Sequence, residues 1–303
     1  MSIESWLRRC NLSVILKRTI PAFREAKLRN KIVLLTLLLT FAASLPAQNF
    51  WDRWETRTSA TQAKQPAWPP PLVTTYVGLI QVARTDFVRQ TATSGVQTWN
   101  FDGGKGLNLI PAANTEIDFN APGYFQHNSP KVVNGAGDMA FVLKYRPASG
   151  NSGHGNYDVS AFLVGTIPTG SYKNGSTDAA VGPNLGVGKG YKMIDVQSTL
   201  GATLPVLDTR KLGRTMASNT AVQLHVAKYF WPEAEINSSF FFGGANNSKK
   251  MTFVTPGLLF AKKLRVEDPK SRTAICIGAG EQIATTHFYT YNHEIAITSR
   301  FVF

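Results

Sequence analysis

Five histidines and two cysteines are the residues of this 303-residue chain best suited to nucleophilic or metal chemistry, and their spacing argues against both. His127, His154, His225, His287 and His293 fit no H-E-x-x-H zinc template. None is spaced from a Ser or Asp as an activated nucleophile in a membrane-embedded hydrolase or acyltransferase would require. Cys276, in "TAICIGAG", has no identifiable His or Asn partner and reads as a packed strand residue. The "GVGKG" run at residues 186–190 lacks the Lys-Ser/Thr and the following helix of a phosphate loop; in a strand such glycines relieve crowding on an inner face. No catalytic residue, metal or cofactor is expected, and the chain reads as a non-enzyme.

The polar residues with a regular pattern sit in long alternating runs. "GDMAFVLKYR" sets Met139, Phe141, Leu143 and Tyr145 against Asp138, Lys144 and Arg146. "IDVQSTLGATL" sets Ile194, Val196 and Leu200 against Asp195, Gln197 and Thr199, and "TAVQLHVAKYF" sets Val222, Leu224 and Val226 against Gln223 and His225. The chain ends on "EIAITSRFVF", with Ile295, Ile297, Phe301 and Phe303 on one face and Arg300 on the other. A period of two is a strand with one apolar side. These runs reach about ten residues, the length of a tilted membrane strand, where soluble strands average about five or six. If the apolar faces meet lipid, then Asp138, Lys144, Arg146, Asp195, Gln197, Thr199, Gln223, His225 and Arg300 point into a lumen; a charge facing lipid at the midplane would cost about 2–4 kcal/mol. Inward charges of both signs suit a narrow passage or a lumen closed by pairing.

The N-terminus reads as an export signal. "IVLLTLLLTFAA", Ile32 to Ala43, follows Arg29 and Lys31 and precedes the small-residue stretch "SLPAQ". Cleavage is expected after Ala47, with Ser44 as the second site, and an uncleaved anchor is the rival reading. The residues before the run are long for a signal, which a misassigned start or a true basic extension would explain. Eight of the 32 basic and two of the 19 acidic residues lie in this leader, so its removal lowers the formal charge from +13 to about +7. That scattered surplus is no nucleic-acid face, and no nucleic-acid partner is expected; it suits a protein near lipid phosphates or a pore preferring anions. Cys10 leaves with the leader, so the mature chain can form no internal disulfide. Residues 48–73, polar and then rich in proline up to Pro69–Pro71, read as a periplasmic linker, or as a small plug or partner-binding segment built on Trp51, Trp54 and Trp68.

Residues 74–303 then divide into strands at 75–90, 96–108, 115–127, 136–147, 157–168, 178–190, 193–206, 219–231, 234–243, 250–263, 273–286 and 292–303. The fold class is all-β: a transmembrane antiparallel up-and-down β-barrel of about 12 strands, with ten or fourteen open because glycines interrupt the second. With Phe303 at the periplasmic rim, short connections around "GYKM" and "WPEAE" become periplasmic. "PTGSYKNGSTDA", "LDTRKLGRTMASN" and "GGANNSKK" become extracellular, while "PASGNSGHGN" and "KLRVEDPKSR" are long for periplasmic turns. Tyr145, Tyr191, Phe230 and Phe301 fall near one end, Phe240, Phe242, Phe288 and Tyr291 near the other, as two interfacial girdles would.

The terminal "RFVF" resembles the closing strand of bacterial outer-membrane barrels, and the resemblance makes Phe301 and Phe303 an assembly signal read by the barrel-assembly machinery. "GAGDMAFVLKYR", "FLVGTIPTG", "GPNLGVGKGY" and "TPGLLFAKKL" together resemble the putative outer-membrane proteins of the phenol meta-pathway degradation family, over roughly residues 130–303. The resemblance implies a transport-type barrel in the outer membrane of a Gram-negative bacterium. It would be bounded by outer-membrane lipids and pass small aromatic, hydrophobic or anionic solutes, and it supplies no catalytic residue. A non-transporting structural or surface-interaction barrel is the alternative, disfavoured by the short loops.

Overall fold

The computed structural model describes residues 47–102, 106–264 and 271–303. The apolar run of the leader and most of the "KLRVEDPKSR" connection lie outside the described residues. The chain divides into two compact units, Met1–Glu55 and Thr56–Phe303, and helix α1, Ala47–Gln62, runs across the division. The stretch read as a linker is thus helical at its start, where neither Pro nor Gly occurs before Pro66. Within the first unit Phe50 meets Trp51 edge-on at 5.3 Å.

In the second unit twelve strands close into an antiparallel ring. They are β1 Val82–Thr91, β3 Gly106–Ala112, β4 Thr115–Asn120, β7 Met139–Gly150, β8 Tyr157–Ile167, β9 Ala180–Tyr191, β10 Ile194–Pro205, β11 Arg214–Leu224, β12 Phe230–Phe242, β13 Lys250–Lys263, β14 Ala274–Ala284 and β15 His293–Val302. Each pairs with the next in this order, and β15 closes on β1 from Val82↔Val302 to Thr91↔His293. The expected barrel of about 12 strands is therefore the fold. Outward side chains such as Leu143, Leu163, Leu185, Leu200 and Ile297 are about half-exposed, whereas inward Lys144, Arg146 and Arg300 are buried. No helix among the described residues is long and apolar enough to cross a membrane, which says nothing of a barrel.

Three expected strands are corrected. The first begins at Val82 rather than 75. The second and third are each broken in two, because the wall forks at β1. Near one rim β1 pairs with β3 through only Val82↔Asn108 and Ala83↔Leu107. From Phe87 to Thr91 it pairs instead with β2, Gln97–Phe101, which leads on to β5, Tyr124–His127, and the two-residue β6, Gly135–Ala136. Asp102 at φ 70° turns the chain out of β2, and Pro122 with Gly123 separates β4 from β5.

One turn also moves. Lys192 and Met193 join β9 to β10, as expected for "GYKM", with Lys192 at φ 54°. "WPEAE", however, lies within β12, and the turn is residues 225–229. Pro232 sits one residue beyond the last rung with β11, Gln223↔Glu233, so its missing N–H costs that ladder nothing. The connections 168–179, 206–213, which carries helix α2 (Thr209–Leu212), and 243–249 lie together at the opposite end of the strands.

Candidate functional site

The ring is not empty. Residues 63–81, which precede β1, run inside it, with Trp68, Leu72, Tyr76, Val77, Leu79 and Ile80 all buried. Pro66 and Pro69–Pro71 lack N–H groups and cannot extend the ladder, so the segment's main chain must find partners elsewhere. The wall supplies them by sign of charge. Cations take the carbonyls: Arg300 donates to Pro70 O and Pro71 O, Arg84 to Leu72 O at 2.6 Å and Lys144 to Tyr76 O at 3.0 Å, while Arg146 donates to the Gln65 side chain and, just ahead of the segment, to Thr61 O at 2.7 Å. Acceptors take the N–H groups. Glu233 receives Leu72 N at 3.0 Å, Glu235 receives Val73 N at 2.8 Å and Thr74 N at 2.6 Å, Gln197 receives Val77 N at 3.4 Å, and Glu116 receives Ile80 N. These partners come from β1, β4, β7, β10, β12 and β15, so the segment is tied around the whole circumference. Leaving one such buried group unmade costs about 1–3 kcal/mol, more where it is charged.

Glycines on the inner face make room for the segment's side chains. A methyl carbon on Gly188 would stand 2.7 Å from the Trp68 ring, one on Gly190 2.8 Å from it, and one on Gly186 3.3 Å from Val77. Leu72 occupies a second trench, against any methyl carbon on Gly257 and 2.6 Å from one on Gly280. There it packs with Leu259 and Cys276.

The structure brings most of the sequence-proposed lumen residues to this site. Lys144, Arg146, Gln197 and Arg300 contact the segment directly, and Lys144 also pairs with Glu116 at 2.7 Å. Gln223 links Gln197, at 3.2 Å, to Glu233, at 2.8 Å, and so positions the carboxylate. Asp195 accepts from Gln197 at 3.2 Å and Thr199 from Asn219 at 3.3 Å. Two of the nine lie elsewhere. His225 follows the end of β11 in an exposed turn, where its ring stacks on Trp231 at 4.1 Å; the strand stops one residue too early for it to face the lumen. Asp138 precedes β7 and holds the 168–179 connection, accepting Gly170 N at 2.9 Å and Ser176 N at 2.6 Å. Partial burial pushes its carboxyl up, but the Ser176 and Gly170 N–H groups outweigh that and hold it below the ordinary 3.8. Phe301 is outward and half-exposed, its ring 6.3 Å from that of Phe303.

The residues sequence reasoning missed are Arg84, Glu116, Glu233 and Glu235, with Leu72 on the segment, whereas Trp68 belongs to the small plug that is one reading of residues 48–73. Glu233 and Glu235 carried the same every-second-residue signal as Lys144 and Arg146, but Pro232 made their stretch read as a turn. The inner-face glycines were the other signal, since a run at every second position marks a trench for something.

A pocket of about 670 Å³ lies at the fork, where β1 parts from β3. Leu107, Phe119, Phe141 and Phe301 line it from outward positions, and Arg84 reaches it from the lumen. Groups of His, Cys, Asp and Glu fit to hold a metal do not occur among the described residues.

Compared with known proteins, the chain matches no protein-family model and no curated protein. Among solved structures it is similar to an outer membrane channel from Pseudomonas putida F1, with a TM-score of 0.51 and 13% identity over 78% of this chain and 100% of that one. The NanC porin is matched with a TM-score of 0.47 and 10% identity over 74% of this chain and 98% of that one. At such identity the first likeness is one of fold, a closed antiparallel β-barrel.

Proposed function

We propose that this chain is a passive outer-membrane channel whose pore is narrowed by its own residues 63–81. The observation that carries this is a closed ring with an apolar exterior and a charged interior, seven of whose polar side chains hold one peptide segment. In this reading the leader is cleaved after Ala47, the outward belt meets outer-membrane lipids, Phe301 and Phe303 serve the barrel-assembly machinery, and the cell is Gram-negative. The likeness to a channel from Pseudomonas putida F1 supports the reading. The solutes are small, and the phenol meta-pathway resemblance of residues 130–303 favours aromatic ones. Uptake of small neutral and aromatic solutes into proteoliposomes tests the proposal: flux above that of empty vesicles is expected, and none would overturn it.

A second route is favoured by the pocket at the fork. Its outward aromatic lining would let a hydrophobic solute leave sideways into lipid near Arg84 instead of crossing the whole lumen. Leu107→Trp, which would fill that pocket, is expected to lower flux of hydrophobic solutes while leaving ion conductance unchanged. Equal loss of both would remove the lateral route.

A further inference from the structure

We infer that the path left beside the segment runs along the β8–β10 wall and selects cations, with Asp158, Ser160 and Asp195 as its selectivity residues and Trp68 as its constriction. The inference rests on the channel reading above and names the class of ion that channel prefers.

The four cations that reach the segment are occupied. Arg84, Lys144 and Arg300 donate to segment carbonyls and Arg146 to the Gln65 side chain, and Lys144 and Arg84 also pair with the wall carboxylates Glu116 and Asp86. Glu116, Glu233 and Glu235 are likewise occupied by segment N–H groups. What the segment leaves over on the β8–β10 part of the inner wall is acidic or hydroxylic. Both oxygens of Asp158, one oxygen of Asp195 and the hydroxyl of Ser160 have no hydrogen-bond partner, although these residues are 0%, 1% and 1% exposed. The closest cation to Asp158 is Arg146, with Nε at 3.9 Å and its terminal nitrogens turned to the segment.

The strand register puts these groups in one column. Ser160 lies opposite Gly186, which lies opposite Thr199; Asp158 lies opposite Gly188, which lies opposite Gln197; and Gly190 lies opposite Asp195. The three glycines form the floor between the acidic flanks, and Trp68 and Val77 lie over that floor. Toward the 168–179 end the same strands open into a pocket of about 140 Å³ whose lining includes Thr166, Asn184 and Thr203. A small ion entering there meets polar side chains first, then Ser160 and Asp158, then the Trp68 ring, then Asp195. Carboxylates with open hydrogen-bond positions in a low-dielectric wall attract cations and repel anions, and the ring face of Trp68 favours a cation passing over it. The chain's basic composition points the other way, and Arg146 lies beside Asp158 in this column, but its terminal nitrogens are committed to Gln65 and Thr61.

The test is the reversal potential of the full chain, after loss of its leader, in planar bilayers under a KCl gradient, with Asp158→Asn/Asp195→Asn and Trp68→Ala alongside. Cation preference is expected in the parent, lost or inverted in the double Asn variant, and retained with several-fold larger steps in Trp68→Ala. Anion preference in the parent, or a reversal potential unchanged in the Asn variant, would overturn the inference while leaving a channel. Silence from the parent and from Trp68→Ala, in protein whose heat-modifiable gel shift proves a folded barrel, would overturn the channel reading and this inference together.

Discussion

Arg300, on the strand that closes the barrel, donates its guanidinium to the carbonyls of Pro70 and Pro71, the latter at 2.6 Å, from 229 residues further along the chain. Prolines offer only carbonyls to hydrogen-bond partners, and a planar fork of donors is the side chain that can serve two adjacent ones. The bond joins the last wall strand to the segment that precedes the first, so barrel closure and seating of the segment are one event.

Arg300→Ala is therefore expected to loosen the segment at a cost of about 2–4 kcal/mol, since two buried carbonyls lose a charged donor. Cys276 reports on this: it is a free thiol, buried, and packed with Leu72 of the segment. In the leaderless chain Cys276 should resist a membrane-impermeant maleimide, and Arg300→Ala should raise its labelling rate at least several-fold. Equal rates would show that the segment does not depend on this contact.

Leu72 and Gly280 should behave as a pair. Gly280→Ala places a methyl carbon 2.6 Å from Leu72, and overpacking of this kind costs about 1–3 kcal/mol. Gly280→Ala/Leu72→Ala should recover part of that loss, giving a coupling in a denaturant double-mutant cycle that additive sites would not show. Strict additivity would place Leu72 away from the trench.

Leu185 is 62% exposed on β9. Between Gly186 and Asn184, which face inward, it marks the outer face. Leu185→Arg should cost about 2–4 kcal/mol in lipid if this stretch is near the midplane, measured by urea titration of the refolded barrel in vesicles. A neutral effect would contradict the assignment of faces.

Two carboxylates hold the loops at the 168–179 end. Asp138 accepts Gly170 N and Ser176 N, and Asp178 accepts Leu207 N at 2.7 Å and Asp208 N at 3.1 Å. The Leu207 N–H is the main cause that lowers Asp178 from the ordinary 3.8, and Asp138 is also lowered. A folded value below the unfolded one means the stabilisation is complete above that ordinary value and is lost as pH falls through the depressed one. Amide resonances of Gly170, Ser176 and Leu207 should therefore hold steady down to about pH 4 and shift only in stronger acid. Asp138→Asn should abolish the change at Gly170 and Ser176 alone. A transition near neutral pH would contradict the assignment.

Much of the fold was legible because a barrel wall obeys one rule. In "GDMAFVLKYR" the alternation alone sets Lys144 and Arg146 opposite Leu143 and Tyr145, and the structure buries the first pair while exposing the second. The same rule misled at "LVTTYVGLIQ", which alternates like a wall strand but has its N–H and C=O groups bound by Glu235, Lys144 and Glu116 side chains instead of a ladder. Periodicity reports that one face is apolar, not which partner satisfies the backbone. His225 shows a smaller form of the limit, since a strand end shifted by one residue takes a side chain out of the lumen. The seat of the segment was invisible to pattern reading because its contacts join residues 61–81 to wall residues as far as 230 positions away, and only Trp68, read as part of a small plug, and the glycines at 186, 188 and 190 hinted at it.

The most direct test of the lumen arrangement is single-channel conductance of the leaderless chain beside Glu233→Gln/Glu235→Gln, which weakens the acceptors of Leu72, Val73 and Thr74 N–H groups. Small discrete steps in the parent and markedly larger ones in the variant are predicted, with the heat-modifiable shift intact in both. Equal conductance in two folded barrels would contradict a pore set by residues 63–81.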